Sequence, residues 1–477
     1  MYRKNKIPDN FKYYSLTFSG RLRSDNRWVM LAKLVPWNEF EEKYAQQFAS
    51  SGLGAPAKPF RMALGALIIK EKCGYSDEET VEQLRENPYL QYFIGLNEYQ
   101  DDAPFDPSML VHFRKRLTEG MLREINDVII ARAKKDKDKH DNPPGKGPGG
   151  NQGQLILDAS CAPADIRYPT DLTLLNEARE KLEGIIDTLN QPQRGKVPKP
   201  RTYRRKARKD YLQVAKQRKP SRKALRKAIG KQLRYTGRDL RIINSLMETM
   251  AEPVLTRKQW RDLRVIHTLH QQQKTMYEAE EHRIEDRIVS ISQPHVRPIV
   301  RGKAGAGTEF GAKIAISLVS GYARIEKLSW DNYNEGNTLP EQVKAYQQRY
   351  GVYPEVVIAD QIYRTRENRS FCKEIGARLS GPLLGRPKDH RSREQRQIEY
   401  RESCIRNGVE GKFGEGKRRY GLGCIMAKLK ETSESVIAVQ FLVMNLQKRL
   451  RAFFLCLLQR LRIWLFPWQR MASLLGY

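Results

Sequence analysis

The spacing of apolar residues changes character several times along this chain, and each change marks an element. In PFRMALGALIIKEKCGYSDEETVEQLREN the apolar side chains recur at helical spacing, and Ser76 stands three residues before Glu79 as a capping-box start. A second helix is expected from Asp106-Pro107-Ser108, with Pro107 near its first turn and Met109, Leu110, Val111, Phe113 and Leu117 turned inward. At Leu155 the pattern shifts to an unbroken run, Leu155, Ile156, Leu157, too short for a buried helix and suited to a buried strand. That run stops at Asp158. From about residue 172 to 292 the chain is polar and helix-favouring. Strand character returns after residue 310, where FGAKIAISLVSG and YARIEKLSW read as a hairpin turning near Gly321. A helix from Leu339 to Tyr350 follows, then a strand over 355–359 ending at Asp360. A helix from Arg364 to Ile375, a short strand from Ala377 to Ser380 and a helix bearing Glu410 complete the order.

Strand, helical insertion, hairpin, helix, strand, helix, strand, helix is the layer order of an α/β fold. Residues 1–135 form an all-α N-terminal domain. Residues 136–153, DKDKHDNPPGKGPGGNQG, mix proline and glycine with charge, cannot bury a core, and read as a linker. Residues 154–171 and 293–450 make the α/β domain, residues 172–292 a basic helical insertion into it, and residues 451–477 an apolar C-terminal tail. The most apolar part of that tail, Ala452 to Phe466, is interrupted by Arg460 and Arg462 and falls short of the roughly twenty apolar residues a bilayer span needs. It suits a core or dimer helix, with a membrane-surface helix as the alternative. The opening MYRKNKIPDNFKYY has no apolar core of signal-peptide length. Six scattered cysteines without a Cys-x-x-Cys pair argue against a zinc ribbon or a disulfide framework. The expectation is a cytoplasmic protein with no membrane partner.

Charge sharpens this picture. Lys and Arg number 86 against 55 Asp and Glu, a formal net charge of +31. A surplus of that size points to a polyanion, because each cation paired with a phosphate releases counterions. The basic residues cluster: residues 194–241 contain only Asp210 and Asp239 as acids. Arg204, Arg205, Lys206, Arg222 and Lys223 are the backbone-binding candidates in that run. Tyr203, Tyr211 and Tyr235 lie among the cations, placed either to stack on bases or to pack the helices together.

Acids at the mouths of buried strands are where open α/β sheets hold ligands. Asp158 and Asp360 sit at such positions, and a third acid is offered by RNGVEGKFGEGKRRYG. Phosphodiester chemistry with a hard divalent cation needs oxygen ligands rather than thiols. Two ions need one bridging carboxylate and at least one more for each ion. Of the two glutamates, Glu410 has Arg406 four residues before it and Lys417 seven after, so one helix face would flank a carboxylate with cations. Glu415 lacks such partners and reads as surface. Gly411, Gly414 and Gly416 weaken the helix by roughly 1 kcal/mol each relative to alanine, which sets a break before Lys417 as an expectation. Asp165 and Asp171 end no clear strand, and Asp331 and Glu335 sit in the turn-rich WDNYNEGN, where solvated loop roles are the default. His267 and His270 lack a partner pair and read as surface, whereas His112 reads as a packed helix position.

The spacing Arg406-x3-Glu410-x6-Lys417 resembles the arginine–glutamate–lysine motif of DDE transposases of bacterial insertion sequences. LDASCAPADIRYP and IADQIYRTRENRSFCKE resemble the first and second aspartate blocks of the insertion-sequence-five superfamily, and AKPFRMALGALIIKEK…YFIGL…FDPSMLVHFRKRL resembles its helical N-terminal domain. Where that pattern places a tyrosine three residues before the arginine, this chain has Ser403. The resemblance covers about residues 20–450. It implies a ribonuclease-H-like mixed-sheet core and catalysis by Asp158, Asp360 and Glu410. Two Mg²⁺ ions, or Mn²⁺ in their place, would be held by the same three residues, with Asp158 bridging. It further implies cleavage and strand transfer at the terminal inverted repeats of a mobile element. Double-stranded DNA, at element ends and target, would be the partner, contacted by Arg406, Lys417 and the basic insertion, with a homodimer in the DNA complex and the bacterial cytosol as the compartment. Two other readings share parts of this evidence: a ribonuclease-H-like endonuclease or resolvase without strand transfer, and a non-catalytic DNA-binding descendant.

Overall fold

A computed structural model describes residues 20–48, 56–138, 150–193, 195, 198–250, 252, 254–300, 307–381 and 393–465. Most of the expected linker, residues 139–149, and the end of the apolar tail, residues 466–477, lie outside the described residues, as does 382–392. The chain separates into two compact units. One comprises Met1–Ala162, Ile314–Leu328 and Tyr333–Tyr477; the other comprises Pro163–Lys313 and Ser329–Asn332.

The first unit opens with helices α1 (Arg27–Ala32), α2 (Trp37–Ala45), α3 (Phe60–Cys73), α4 (Asp77–Glu86), α5 (Pro88–Phe93), α6 (Met109–Arg116) and α7 (Glu119–Asp138). Helix α3 is buried along Phe60–Ile69, which is why its sequence is apolar on nearly every face. Ser76 caps α4 by accepting a hydrogen bond from Glu79 N at 3.0 Å, as its position predicts. Helix α6 starts at Met109, two residues after Pro107. It buries Leu110, Phe113 and Arg114 and leaves His112 exposed rather than packed.

The same unit holds most of a mixed sheet: β1 (Gln154–Pro163), β3 (Thr308–Val319), β4 (Tyr322–Ser329), β5 (Val356–Ile358) and β6 (Arg378–Leu379), in the order β3-β1-β5-β6 with β4 also paired to β3. Strands β1, β5 and β6 run parallel. The hairpin from β3 to β4 turns on Ser320 and Gly321, both at positive φ (51° and 76°), as a two-residue turn that follows the sheet's twist requires. Helices α12 (Leu339–Tyr350) and α13 (Arg366–Glu374) cover one face of the sheet, where Leu155, Leu157, Val343, Tyr346, Val357 and Tyr363 share a core. Helix α14 (Arg393–Arg419) and helix α15 (Lys430–Leu465) follow. Asn445 of α15 donates to Ala323 O at 2.7 Å and to Asn126 Oδ1 at 2.8 Å, and accepts from Ala323 N at 3.0 Å. This buried network ties α15 and α7 to β4. The mixed sheet with its helices and the helical N-terminal region make an α/β fold consistent with the expected ribonuclease-H-like core.

The second unit is largely helical: α8 (Asp171–Asn190), α9 (Arg204–Ala215), α10 (Arg222–Glu248) and α11 (Arg257–Ala279), with β2 (Arg297–Val300) antiparallel to Thr308–Gly311. Leu182, Ile186, Ile243, Ile266 and Leu269 fill its core. Arg179 is also buried there, paired with Glu183 and donating to Asn176 Oδ1 at 2.8 Å.

Candidate active site

The two aspartates are placed by strand pairing. In the parallel pair β1–β5, Leu155 stands opposite Val357 and Ile156 opposite Ile358. Two residues further along each chain come Asp158 and Asp360. Strand side chains alternate between faces, so Leu155, Leu157, Val357 and Ala359 enter the core, while Asp158 and Asp360 belong to the opposite face. Asp360 follows the end of β5 as expected and caps the turn Gln361–Tyr363 through a 2.8 Å hydrogen bond from Gln361 N. Asp158 departs from expectation. It lies in mid-strand, because β1 continues to Pro163 through the small buried residues Ala159, Ser160, Cys161 and Ala162. The carboxylate interrupts the apolar run without interrupting the pairing.

Burial is the main influence on Asp158 and pushes its pKa up to about 6; the hydrogen bond from Ala159 N (2.8 Å) opposes this, and the negative charges of Glu335 and Asp360 reinforce it. Glu335 is therefore no solvated loop acid. It opens the turn Glu335–Thr338, half-buried and close enough for its charge to act on Asp158. Nothing in its turn-rich sequence signals this role. The only available cue is its place just after the hairpin and before α12.

Glu410 reaches the aspartates through Arg406. The Arg406 guanidinium donates to Asp360 Oδ1 at 3.2 Å and stands 3.8 Å from Glu410 Oε1. Helix α14 is continuous from Arg393 to Arg419, so Lys417 shares the helix with Glu410 and no break precedes it. Gly416 is kept for packing: a Cβ there would meet Leu422 at 3.0 Å and the Met444 sulfur at 3.3 Å. Glu415 also differs from its surface reading. It pairs with the buried Lys412 at 3.3 Å and with Arg451 at 3.4 Å. Among the described residues no three His, Cys, Asp or Glu side chains are gathered tightly enough to hold a metal ion as they stand. Arg406, between Asp360 and Glu410, occupies the place of the positive charge. The donor set is nonetheless all oxygen, and Asp158 is a half-buried carboxylate beside two like charges, which a hard divalent cation would relieve. The residues fit such an ion by their chemistry, once Arg406 yields its place.

Beside Asp360 and Arg406 lies a cavity of about 280 Å³, lined by Arg364, Ser380 and Gly381 and by Glu399, Glu402 and Ser403 of α14. Ser403, in the place of the expected tyrosine, therefore faces open space next to the carboxylates.

In the basic helices Arg205, Lys206, Arg222 and Lys223 are exposed. Arg204 is committed within the fold, to Asp187 at 2.9 Å, with Glu183 at 4.0 Å. Tyr211 and Tyr235 are buried and pack the helices; Tyr203 is exposed, its ring flanked by Arg201 and Arg238. His270 is half-buried and meets the Leu233 carbonyl at 3.3 Å, whereas His267 is exposed. Asp171 pairs with Arg287 at 2.7 Å. Cys73, Cys372 and Cys404 form no disulfide. No helix among those residues is long and apolar enough to cross a membrane.

A mixed sheet consistent with a ribonuclease-H-like core thus places two aspartates on the same face of neighbouring parallel strands. Residues 357–447, which include Asp360, Arg406, Glu410 and Lys417, match the family described as transposase DDE domain, and residues 16–116 match the transposase domain DUF772. The uncharacterised protein ORF8 of the nfe locus of Rhizobium meliloti is 30% identical over 154 residues, covering 32% of this chain and 70% of that relative. No solved structure matches. The chain belongs to the DDE transposases of insertion sequences. These matches carry that family without separating the insertion-sequence-five superfamily within it. Asp158 and the basic helical insertion lie outside both matched segments, so their assignment rests on geometry and charge.

Proposed function

We propose that this transposase binds the terminal inverted repeats of its element and catalyses both DNA cleavage and strand transfer, using Asp158, Asp360 and Glu410 with Mg²⁺, or Mn²⁺ in its place. The observation that carries this reading is the register of β1 and β5, which aligns Asp158 with Asp360 while Arg406 links Asp360 to Glu410. Bound divalent cations supply a Lewis acid at the phosphate and an activated water or 3′-hydroxyl. The chain's own groups do the rest. Asp158 and Asp360 would hold cations from the sheet and Glu410 from α14. With that site filled, Arg406 would be free to face the scissile phosphate, and Lys417 on the same helix would neutralise the neighbouring backbone. Rigid strand and helix supports keep these groups oriented, so the enzyme contributes position and charge rather than a covalent intermediate.

DNA backbone is held by the exposed Arg205, Lys206, Arg222 and Lys223, and the N-terminal helices read the repeat sequence. The protein acts as a homodimer on paired ends, in the bacterial cytosol.

The test uses pre-cut element ends with free 3′-hydroxyls, a target duplex and Mg²⁺. Joined product is expected from the wild type. Asp158→Asn, Asp360→Asn and Glu410→Gln should each lose about a thousandfold or more in both cleavage and joining, about 4 kcal/mol of barrier, with end binding retained. Cleavage of whole ends without joining of pre-cut ends would instead mark an endonuclease or resolvase. Full activity in Asp158→Asn would remove the central residue from the chemistry.

A further inference from the structure

We infer that the cavity between α13 and β6 seats a backbone phosphate of the DNA strand whose scissile phosphate is held at Asp360, through Arg364, Arg369 and Lys373. The inference rests on the reading of Asp360 as part of the DNA-cleaving site. It adds a phosphate site within that unit, distinct from the cations of the helical insertion and from Arg406 and Lys417.

Four cations, Arg364, Arg369, Lys373 and Arg378, and no acid among the described residues line this cavity of about 750 Å³. Arg364 and Gly381 also line the cavity beside Asp360, so the two spaces adjoin. Gly381 lets them share a wall: the Arg364 guanidinium lies over its backbone, and a Cβ there would stand 2.9 Å from Nη1 and 3.0 Å from Cζ. Its φ of 112° is one that residues with a side chain rarely adopt. Strand β6 contributes a neutral donor. It is an edge strand of the sheet, and Arg378 N and Ser380 N donate inward, to Glu355 O at 2.9 Å and Val357 O at 2.8 Å. Strand alternation therefore turns the N–H of Leu379, a wall residue of the cavity, away from β5.

The clustering follows from the helix. In RENRSFCKE, Asn368 and Cys372 are buried, and Arg369 and Lys373, four residues apart, share the next stripe of the helix. Like charges at that spacing repel. Arg364 brings a third cation; burial, and then the charge of Arg369, hold its guanidinium below its ordinary range, against the pull of Glu399. Arg369 donates from Nε to Thr365 O at 3.2 Å, but its Nη1 is buried without an acceptor among the described residues. Arg378, paired with Glu402, is a weaker contributor. A buried guanidinium nitrogen lacking an acceptor, where cations crowd one another, fits an anion. The forked donors, the ammonium and the backbone N–H match the oxygens of a phosphodiester, and DNA presents such groups in a row leading from the scissile phosphate.

The experiment measures binding of the full-length protein to a duplex carrying a pre-cut element end, with each phosphate near the cut replaced in turn by an uncharged methylphosphonate. In the wild type, one replacement close to the cut should weaken binding about tenfold. Lys373→Gln alters an exposed residue. It should weaken binding to the unmodified duplex, lower the salt slope by about one and cancel most of that replacement's effect, since the two changes remove one contact. Arg369→Gln should do the same, with Arg369→Lys between it and the wild type. Lys344→Gln, exposed on α12, should keep the wild-type affinity and the full replacement effect. A replacement effect undiminished in Lys373→Gln and Arg369→Gln overturns the inference, as does cancellation only at phosphates remote from the cut. So does equal cancellation in Lys344→Gln, which would mark a general charge effect. Inorganic phosphate binding that these variants lose while DNA affinity stays at the wild-type level would mark a free-anion site and also defeats it. Because all of these measurements read binding, they can fail while Asp360→Asn still abolishes cleavage, which leaves the active-site reading in place. Full cleavage by Asp360→Asn overturns that reading and the placement with it.

Discussion

Asp239 is a fully buried carboxylate and Asp158 a half-buried one; desolvation pushes both pKa values up, yet their surroundings give them different roles. Asp239, in α10, is fully buried and neither of its oxygens has a hydrogen-bond partner. Desolvation and the charge of Glu183 push its pKa up to about 7, against the pull of Arg179, Arg238 and Arg204. An aspartate in the unfolded chain releases its proton near pH 4, so the folded state binds an extra proton between there and about 7. The stability from that proton is fully present below pH 4 and is lost as the pH rises through about 7. Asp239→Asn should therefore raise stability at pH 8 by about 3–4 kcal/mol but by only about 1 kcal/mol at pH 5, measured by chemical or thermal unfolding at the two pH values. An equal effect at both would show that the carboxylate is stabilised when ionised. Asp158 is raised by burial too, but it lies beside Asp360 and Glu335, where a cation rather than a proton can balance the charge.

At the scale of elements, α14 shows how a residue that weakens a helix can serve its packing. Three glycines lower its intrinsic propensity, but the helix persists because Val409, Lys412 and Phe413 are buried along one face and Gly416 admits Leu422 and Met444. Gly416→Leu should destabilise the protein by about 2 kcal/mol or more through overpacking, whereas Gly411→Ala, where an added Cβ meets nothing within 4 Å, should stabilise it by up to about 1 kcal/mol. Thermal unfolding of the two variants checks both signs. The network around Asn445 belongs to this scale as well. Asn445→Ala would leave Ala323 N unpaired in a buried setting and cost about 2–3 kcal/mol, with loosened protection of the β4 amides in hydrogen exchange.

For the whole molecule, the net charge of +31 acts through those cations that the fold leaves exposed. Neutralising Arg205, Lys206, Arg222 and Lys223 together should reduce the slope of log affinity against log salt by about three to four, if each contacts one phosphate. The preference for element ends over random duplex should survive, since phosphate contacts carry no sequence information. Arg204→Ala should behave differently, lowering stability through the lost pair with Asp187 while leaving the salt slope unchanged. Salt titrations on specific and random duplexes separate the two cases; an unaltered slope in the fourfold variant would mean that this surface faces something other than DNA.

The sequence by itself determined the class of the fold, the strand carrying each aspartate and the helix carrying Glu410, because apolar spacing, turn residues and charge clustering act over a few residues at a time. The hairpin at Gly321, helix α12 and strand β5 could be read because each depends on its own local pattern. What depends on partners distant in the chain was decided only by the tertiary structure. Asp158 lies within a strand instead of at its end because small residues beyond it continue the pairing in the sheet. Glu415 is an ion-paired residue because Arg451 comes to it from another helix. The turn opened by Glu335 meets the turn after Asp360 because Asn368 and Gly336 lock the two together, and their separation in sequence hides the contact. Charge and periodicity identify which residues can do chemistry, but only folding settles the distances between them, and with those the burial that shifts a carboxylate and the charge that must balance it.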